Sequence, residues 1–173
     1  MGSSMTMKKS NIDWLVTWVI AHDPGKSQGW ACLEPSSRIY SLANSFQDLR
    51  YPIGVQTVLA VEGQFAAPKK AGKKALATLG FRAGFAIGMA VVGPETLCVL
   101  KLEPKVWKPK LYRGGATMKK TVFNNRIKRD YLSRVDTDWL ENLNEDCIDA
   151  GGIAIAVPKL TDKEFKENVI WSR

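Results

Sequence analysis

The sequence predicts an α/β layer fold with a mixed five-stranded sheet and helices on both faces. Three observations carry that prediction: three short strand patterns near the start, a fourth apolar strand at 58–61, and helical patterns that then alternate with a fifth strand. At 173 residues the chain is sized for one domain with a substantial core.

Residues 14–21 (WLVTWVIA) are almost continuously apolar and rich in β-formers, as a strand buried on both faces should be. Asp23-Pro24-Gly25 ends it as a turn. Residues 29–33 and 38–42, separated by Glu34-Pro35-Ser36-Ser37, complete an antiparallel meander. The connection 46–56 holds Pro52 and Gly54 and leaves little room for a helix before the next strand, which ends at Glu62. Residues 65–74, rich in Gly, Pro, Ala and Lys, predict a mobile loop. A helix follows over 75–92, with Gly80, Gly84 and Gly88 on one stripe. Such a stripe admits another backbone, either the protein's own sheet or a second copy.

Residues 97–102 form the fifth strand, followed by a short helix at 104–111, a Gly114-Gly115 break and a helix over 117–132. A polar connection at 136–143, anchored by Trp139 and Leu140, leads to the last clear helix at 145–157. Gly151-Gly152 inside that helix either weakens it by about 1 kcal/mol each or permits close packing. Residues 1–10 are expected to be a disordered tail or an expression scar, 11–160 the folded domain, and 161–173 a peripheral tail.

Composition excludes several classes. The longest apolar run, 83–93, is about half of the ~20 residues that cross a bilayer, and no secretory pattern opens the sequence. Three widely spaced cysteines and a single His argue against a disulfide framework or a zinc site and fit a reducing, cytoplasmic setting. The net charge of +8 is local: residues 1–65 sum to 0, 66–120 to +10 and 121–173 to −2. The middle segment carries Lys69, Lys70, Lys73, Lys74, Arg82, Lys101, Lys105, Lys108, Lys110, Arg113, Lys119 and Lys120. It is either a solvated basic face or a footprint for a polyanion.

Asp23 follows the first buried strand and Glu62 the fourth. If those strands are parallel neighbours, both acids emerge at one carboxyl edge of the sheet, where α/β proteins place their sites. Asp146 and Asp149, three apart on the last helix, share a face. Singly, Asp23 reads as a turn residue and Asp146 as a cap or first-turn acid. Four converging carboxylates repel one another unless cations intervene, and oxygen donors without His or Cys favour magnesium or manganese. That is the composition of a two-metal phosphodiester centre.

Ile20-Ala21-His22-Asp23-Pro24-Gly25 with Gly29-Trp30-Ala31, Ala60-Val61-Glu62-Gly63-Gln64-Phe65, and Asp146-Cys147-Ile148-Asp149-Ala150 resemble three motifs of the RuvC-type Holliday junction resolvases of the RNase H-like superfamily. Pro104, Val106, Trp107 and Lys108, with Gly114 and Lys119-Lys120, are similar to the lysine-bearing stretch of viral or phage members. The resemblance spans residues 17–157. It implies an RNase H-like nuclease domain, a homodimer, and magnesium-dependent cleavage of four-way junction DNA in a bacterial or phage-infected cell. It implies two ions per site, replaceable by Mn2+, on Asp23, Glu62, Asp146 and Asp149, with Lys108, Lys119 and Lys120 at the scissile phosphate and Phe65 stacking on a base. Lys69, Lys70, Lys73, Lys74, Arg82, Lys105, Trp107, Lys110 and Arg113 complete the expected DNA contacts, while His22 alternates to the opposite face as a structural residue. Two other functions stay open, a broader flap, fork and Y-junction debranching nuclease and a non-catalytic nucleic-acid-binding scaffold.

Overall fold

The computed structural model describes residues 7–63, 73–93, 95–133 and 142–173. A mixed sheet is built from β1 (Trp18–Asp23), β2 (Gly29–Leu33), β3 (Ile39–Ala43), β4 (Thr57–Glu62), β5 (Thr96–Leu102) and β6 (Val169–Ser172), in the spatial order β3-β2-β1-β4-β5-β6. The first three strands form the expected antiparallel meander, and β1, β4 and β5 run parallel. β1 starts later than the sequence predicts. Its expected first residues, 14–17, turn back instead, with the Thr17 hydroxyl donating to Asp13 O at 2.7 Å.

The expected peripheral tail contributes the sixth strand. Helix α5 (Asp162–Asn168) opens with a full Thr161–Glu164 capping box, and β6 then pairs antiparallel with β5. At the other end, residues 9–11 form a 3-10 turn in place of the expected disordered tail, with Lys9 Nζ donating to Leu160 O at 2.7 Å. Residues 1–6 and the anchors Trp139 and Leu140 lie outside the described residues.

Alternation along the strands separates two buried clusters. Val19, Ala21, Ala31, Val58, Ala60 and Leu100 face α4 (Glu145–Ala156), with α2 (Pro104–Leu111) and α3 (Lys120–Ile127) packed beyond it. Ile20, Trp30, Leu59, Val61 and Val99 face α1 (Lys73–Val92). The predicted 117–132 helix is broken by its own geometry: a 3-10 turn at Gly115–Thr117 precedes α3, and a π-helical turn at Lys128–Leu132 follows it. The Gly151-Gly152 pair permits close packing. A Cβ at Gly152 would lie 2.7 Å from the Trp107 ring and 2.9 Å from Ile127 Cδ1. The α1 glycines do the opposite of packing on the sheet, since Gly80, Gly84 and Gly88 face outward with nothing within 4 Å. No described helix is long and apolar enough to cross a membrane.

Candidate active site

Strand parity decides where the acids point. Asp23 is the last residue of β1 and Glu62 of β4, and the parallel register pairs His22 with Val61, so the two acids leave adjacent strands at one level. Both fall on the odd or even set of their strand that faces α4, while His22 falls on the other face. α4 brings Asp146 and Asp149 down onto that edge, and carboxylate oxygens of Asp23, Asp146 and Asp149 lie within 4.8 Å of one another. Capping is done by Asn144, whose side chain accepts from Cys147 N at 3.0 Å, so Asp146 is turned toward the cluster instead.

The turn between β1 and β2 is tied to this centre from two sides. Ser27 N donates to Asp146 Oδ2 at 2.9 Å and Gly25 N to Asp23 Oδ1 at 2.9 Å. Asn144 Nδ2 donates to Ser27 O and Gln28 O, and Arg82 Nη1 reaches across from α1 to Gly25 O at 2.7 Å and Lys26 O at 2.9 Å. Gln28 sits at φ +50°, a left-handed strain that these ties hold in place. Two glycines make room. A Cβ at Gly25 would lie 2.8 Å from the Asp146 carboxyl, and one at Gly29 would overlap the Asp146 backbone.

Burial and mutual repulsion govern the charges. Burial, then the charges of Glu62 and Asp146, push the Asp23 pKa up to about 8. Burial and the Asp149 charge raise Glu62 in the same direction, against the Trp107 Nε1 hydrogen bond to Glu62 Oε1 at 3.1 Å. Burial also raises Asp149, with Lys120 and Lys108 opposing it. Lys120 Nζ stands 3.3 Å from Asp149 Oδ2, 3.7 Å from Asp146 Oδ1 and 3.6 Å from Glu145 Oε2. Burial disfavours its ammonium, but these acids hold its pKa above the ordinary lysine value. Lys120 therefore faces Glu145, Asp146 and Asp149, and among the described residues Asp149 Oδ1 is buried with no hydrogen-bond partner. A cluster of carboxylates that burial and mutual repulsion keep from ionising together, its donors all oxygen, fits a hard divalent cation. Cys147, although adjacent, turns its thiol to Ala43 O and Asn44 Oδ1 and away from the acids.

Among the basic residues, Lys108 and Lys120 reach the centre. Lys108 stands over the Trp107 and Phe123 rings at 5.4 and 5.0 Å, and its charge is felt by Glu62 and Asp149. Lys119 and Arg113 are exposed nearby in sequence, and Lys105 is exposed in a 2.7 Å pair with Glu103. Lys110 differs from expectation, because its ammonium clamps Glu164 of the C-terminal helix at 2.6 Å. Arg82 differs too, its guanidinium engaging the β1–β2 turn. Trp107 is fully buried in the core and cannot stack on DNA; its indole positions Glu62. His22 is buried as expected, stacked on Trp30 at 3.9 Å, donating from Nδ1 to Gly29 O, and burial lowers its pKa to about 4. Phe65, Lys69 and Lys70 lie outside the described residues, as do the side chains of Lys73 and Lys74, which open α1. Sequence patterns missed Asn144. It has a legible signal, Asn before Glu-Asp at a helix start.

No protein-family model matches the sequence, and no curated protein matches it. Solved structures do match its fold. A Thermus thermophilus RuvC in complex with a Holliday junction substrate superposes with a TM-score of 0.56 at 16% identity, covering 81% of this chain and 91% of that one. A second T. thermophilus RuvC structure gives a TM-score of 0.54 at 15% identity, covering 80% and 92%. The fold is thus the RNase H-like fold of RuvC.

Proposed function

We propose that this protein is a metal-dependent endonuclease that cuts branched DNA, with four-way junctions as its principal substrate. The observation that supports this best is the convergence of Asp23, Asp146 and Asp149, with Glu62 electrostatically coupled to them, at the carboxyl edge of a sheet whose fold is that of a junction-binding RuvC. Asp23, Glu62, Asp146 and Asp149 would hold two magnesium ions, with manganese as a substitute. When bound, the ions polarise the scissile phosphate and lower the pKa of water.

The chain's own groups do the rest. Backbone N–H groups of Ser27 and Gly25 fix one oxygen each of Asp146 and Asp23, which aims the other oxygens into the centre. Trp107 does the same for Glu62. Lys120 neutralises Asp146 and Asp149 before loading, and its long arm then carries the ammonium to the phosphate. Lys108 lies beside it, with Lys119, Lys105 and Arg113 exposed for backbone contacts. A binding scaffold gains nothing from acids held beside phosphate, so the retained cluster favours an enzyme.

The enzyme is proposed to act as a homodimer, because paired nicks on a two-fold symmetric junction need two centres. The outward face of α1 is the proposed contact. There Phe81, Phe85 and Met89 are 74%, 52% and 48% exposed beside the open Gly80, Gly84 and Gly88 stripe. Incubating the protein with labelled four-way junction, flap, Y-junction and linear duplex in magnesium tests the substrate class. Preferential symmetric cleavage of the four-way junction is expected. Equal cutting of flap and Y-junction assigns debranching instead, and no cutting of any branched substrate contradicts the proposal.

A further inference from the structure

Asn124 has no role in any part of the centre described above, yet its burial is costly. It is 5% exposed on α3, and neither its amide nitrogen nor its amide oxygen has a hydrogen-bond partner among the described residues. A buried amide left unpaired on both atoms is disfavoured, and a packing role alone would be served better by leucine. Its position on α3 is specific. Lys120, Asn124 and Ile127 lie at i, i+4 and i+7 and share one helix face. Lys120 at one end touches Asp149 of α4, and Ile127 at the other lies against Gly152 of α4. Asn124 sits between these two contacts, facing the stretch of α4 that carries Asp149. In that stretch Asp149 Oδ1 is itself buried without a partner among the described residues. An orphaned donor and an orphaned acceptor are therefore held on packed faces of the same two helices.

Resting on the metal-centre reading, we infer that Asn124 is a positioning residue for Asp149, its Nδ2 donating to Oδ1 once Lys120 no longer holds the carboxylate. Lys120 and a cation compete for the same oxygens. When the ammonium leaves, Asp149 loses its 3.3 Å partner and needs another group to fix its rotamer. Asn124 supplies that group from the protein side, which leaves the opposite oxygen to the ion. Outer-shell donors of this kind typically change metal affinity by about 10 to 100-fold when removed.

The test compares wild type, Asn124→Leu and Asn124→Gln by manganese titration, following free Mn2+ by its EPR signal, beside melting curves in EDTA. Asn124→Leu is expected to melt at or above the wild-type temperature, since it loses no bond and sheds an orphaned amide, while binding Mn2+ about tenfold more weakly. Asn124→Gln, which keeps a donor, is expected to retain more affinity than Leu. Wild-type Mn2+ affinity in Asn124→Leu, no advantage of Gln over Leu, or weaker binding that comes with a lower melting temperature overturns the proposal. Failure of wild type itself to bind Mn2+ marks instead the failure of the metal-centre reading, and the proposal falls with it.

Discussion

Asp23 shows at the scale of one residue how function and stability oppose each other here. Its carboxyl is buried among other acids, so ionising it costs the folded state. Asp23→Asn keeps the oxygen that accepts from Gly25 N and removes the charge. It should raise the melting temperature at about pH 8 in EDTA by at least ~3 °C, the shift expected for roughly 1 kcal/mol in a protein of this size. The same substitution should abolish cleavage, and a melting curve beside a junction assay checks both. Trp107 separates positioning from packing. Trp107→Phe keeps an aromatic ring in the core but leaves Glu62 Oε1 without its indole donor. Activity should fall by about tenfold or more, and a stability loss of about 1–3 kcal/mol should accompany it from the smaller ring. Unchanged kcat in the folded variant would deny Trp107 its hold on Glu62.

Two glycines on different helices should respond to alanine with opposite signs. Helix propensity alone favours Ala over Gly by about 1 kcal/mol. Gly84→Ala on α1 meets nothing within 4 Å and should gain about that amount as a monomer, while interfering with self-association at the proposed dimer face. Gly152→Ala on α4 drives a methyl into Trp107 and Ile127 and should cost about 1–3 kcal/mol. Urea unfolding of the two variants reads the contrast. The same contrast shows what the sequence makes legible. The meander follows from local runs and turn chemistry written in adjacent residues, whereas the convergence of Asp23 and Glu62 is legible only on the condition that β1 and β4 are parallel neighbours, a long-range pairing that the structure supplies. The outward turn of the α1 glycines is not written there, since a glycine stripe looks the same whether it meets a sheet or solvent. Nor is Trp107's burial: an aromatic between lysines has the pattern of a DNA contact until the α2–α4 packing is known. β6 escaped because a four-residue edge strand is fixed by its long-range pairing with β5 and carries little local signal.

On the scale of the whole molecule, stability, pH and metal are one linked equilibrium. Asp23, Glu62 and Asp149 all have raised pKa values, so between about pH 4 and about pH 8 the folded state holds more protons than the unfolded one. Stability in EDTA is therefore greatest at the acid end of that window and falls as pH rises through it. Divalent cations, which the proposed centre holds in the folded state, should offset the fall, most strongly near pH 8 where the carboxylates are ionised. Melting curves from about pH 5 to about pH 8, with EDTA or with Mn2+, should converge at low pH and diverge at high pH; parallel curves would contradict the linkage. Under the proposed function, Lys108 and Lys120 at the acidic edge, with exposed Lys119, draw in the polyanion, and seated cations license its cutting. Cleavage of a labelled four-way junction by wild type and by Asp146→Asn, each in magnesium and in calcium, tests that claim most directly. The account predicts paired nicks by wild type in magnesium alone, with junction binding retained in the other three samples. Nicking by Asp146→Asn at the wild-type rate, or no nicking by wild type in magnesium, would contradict it.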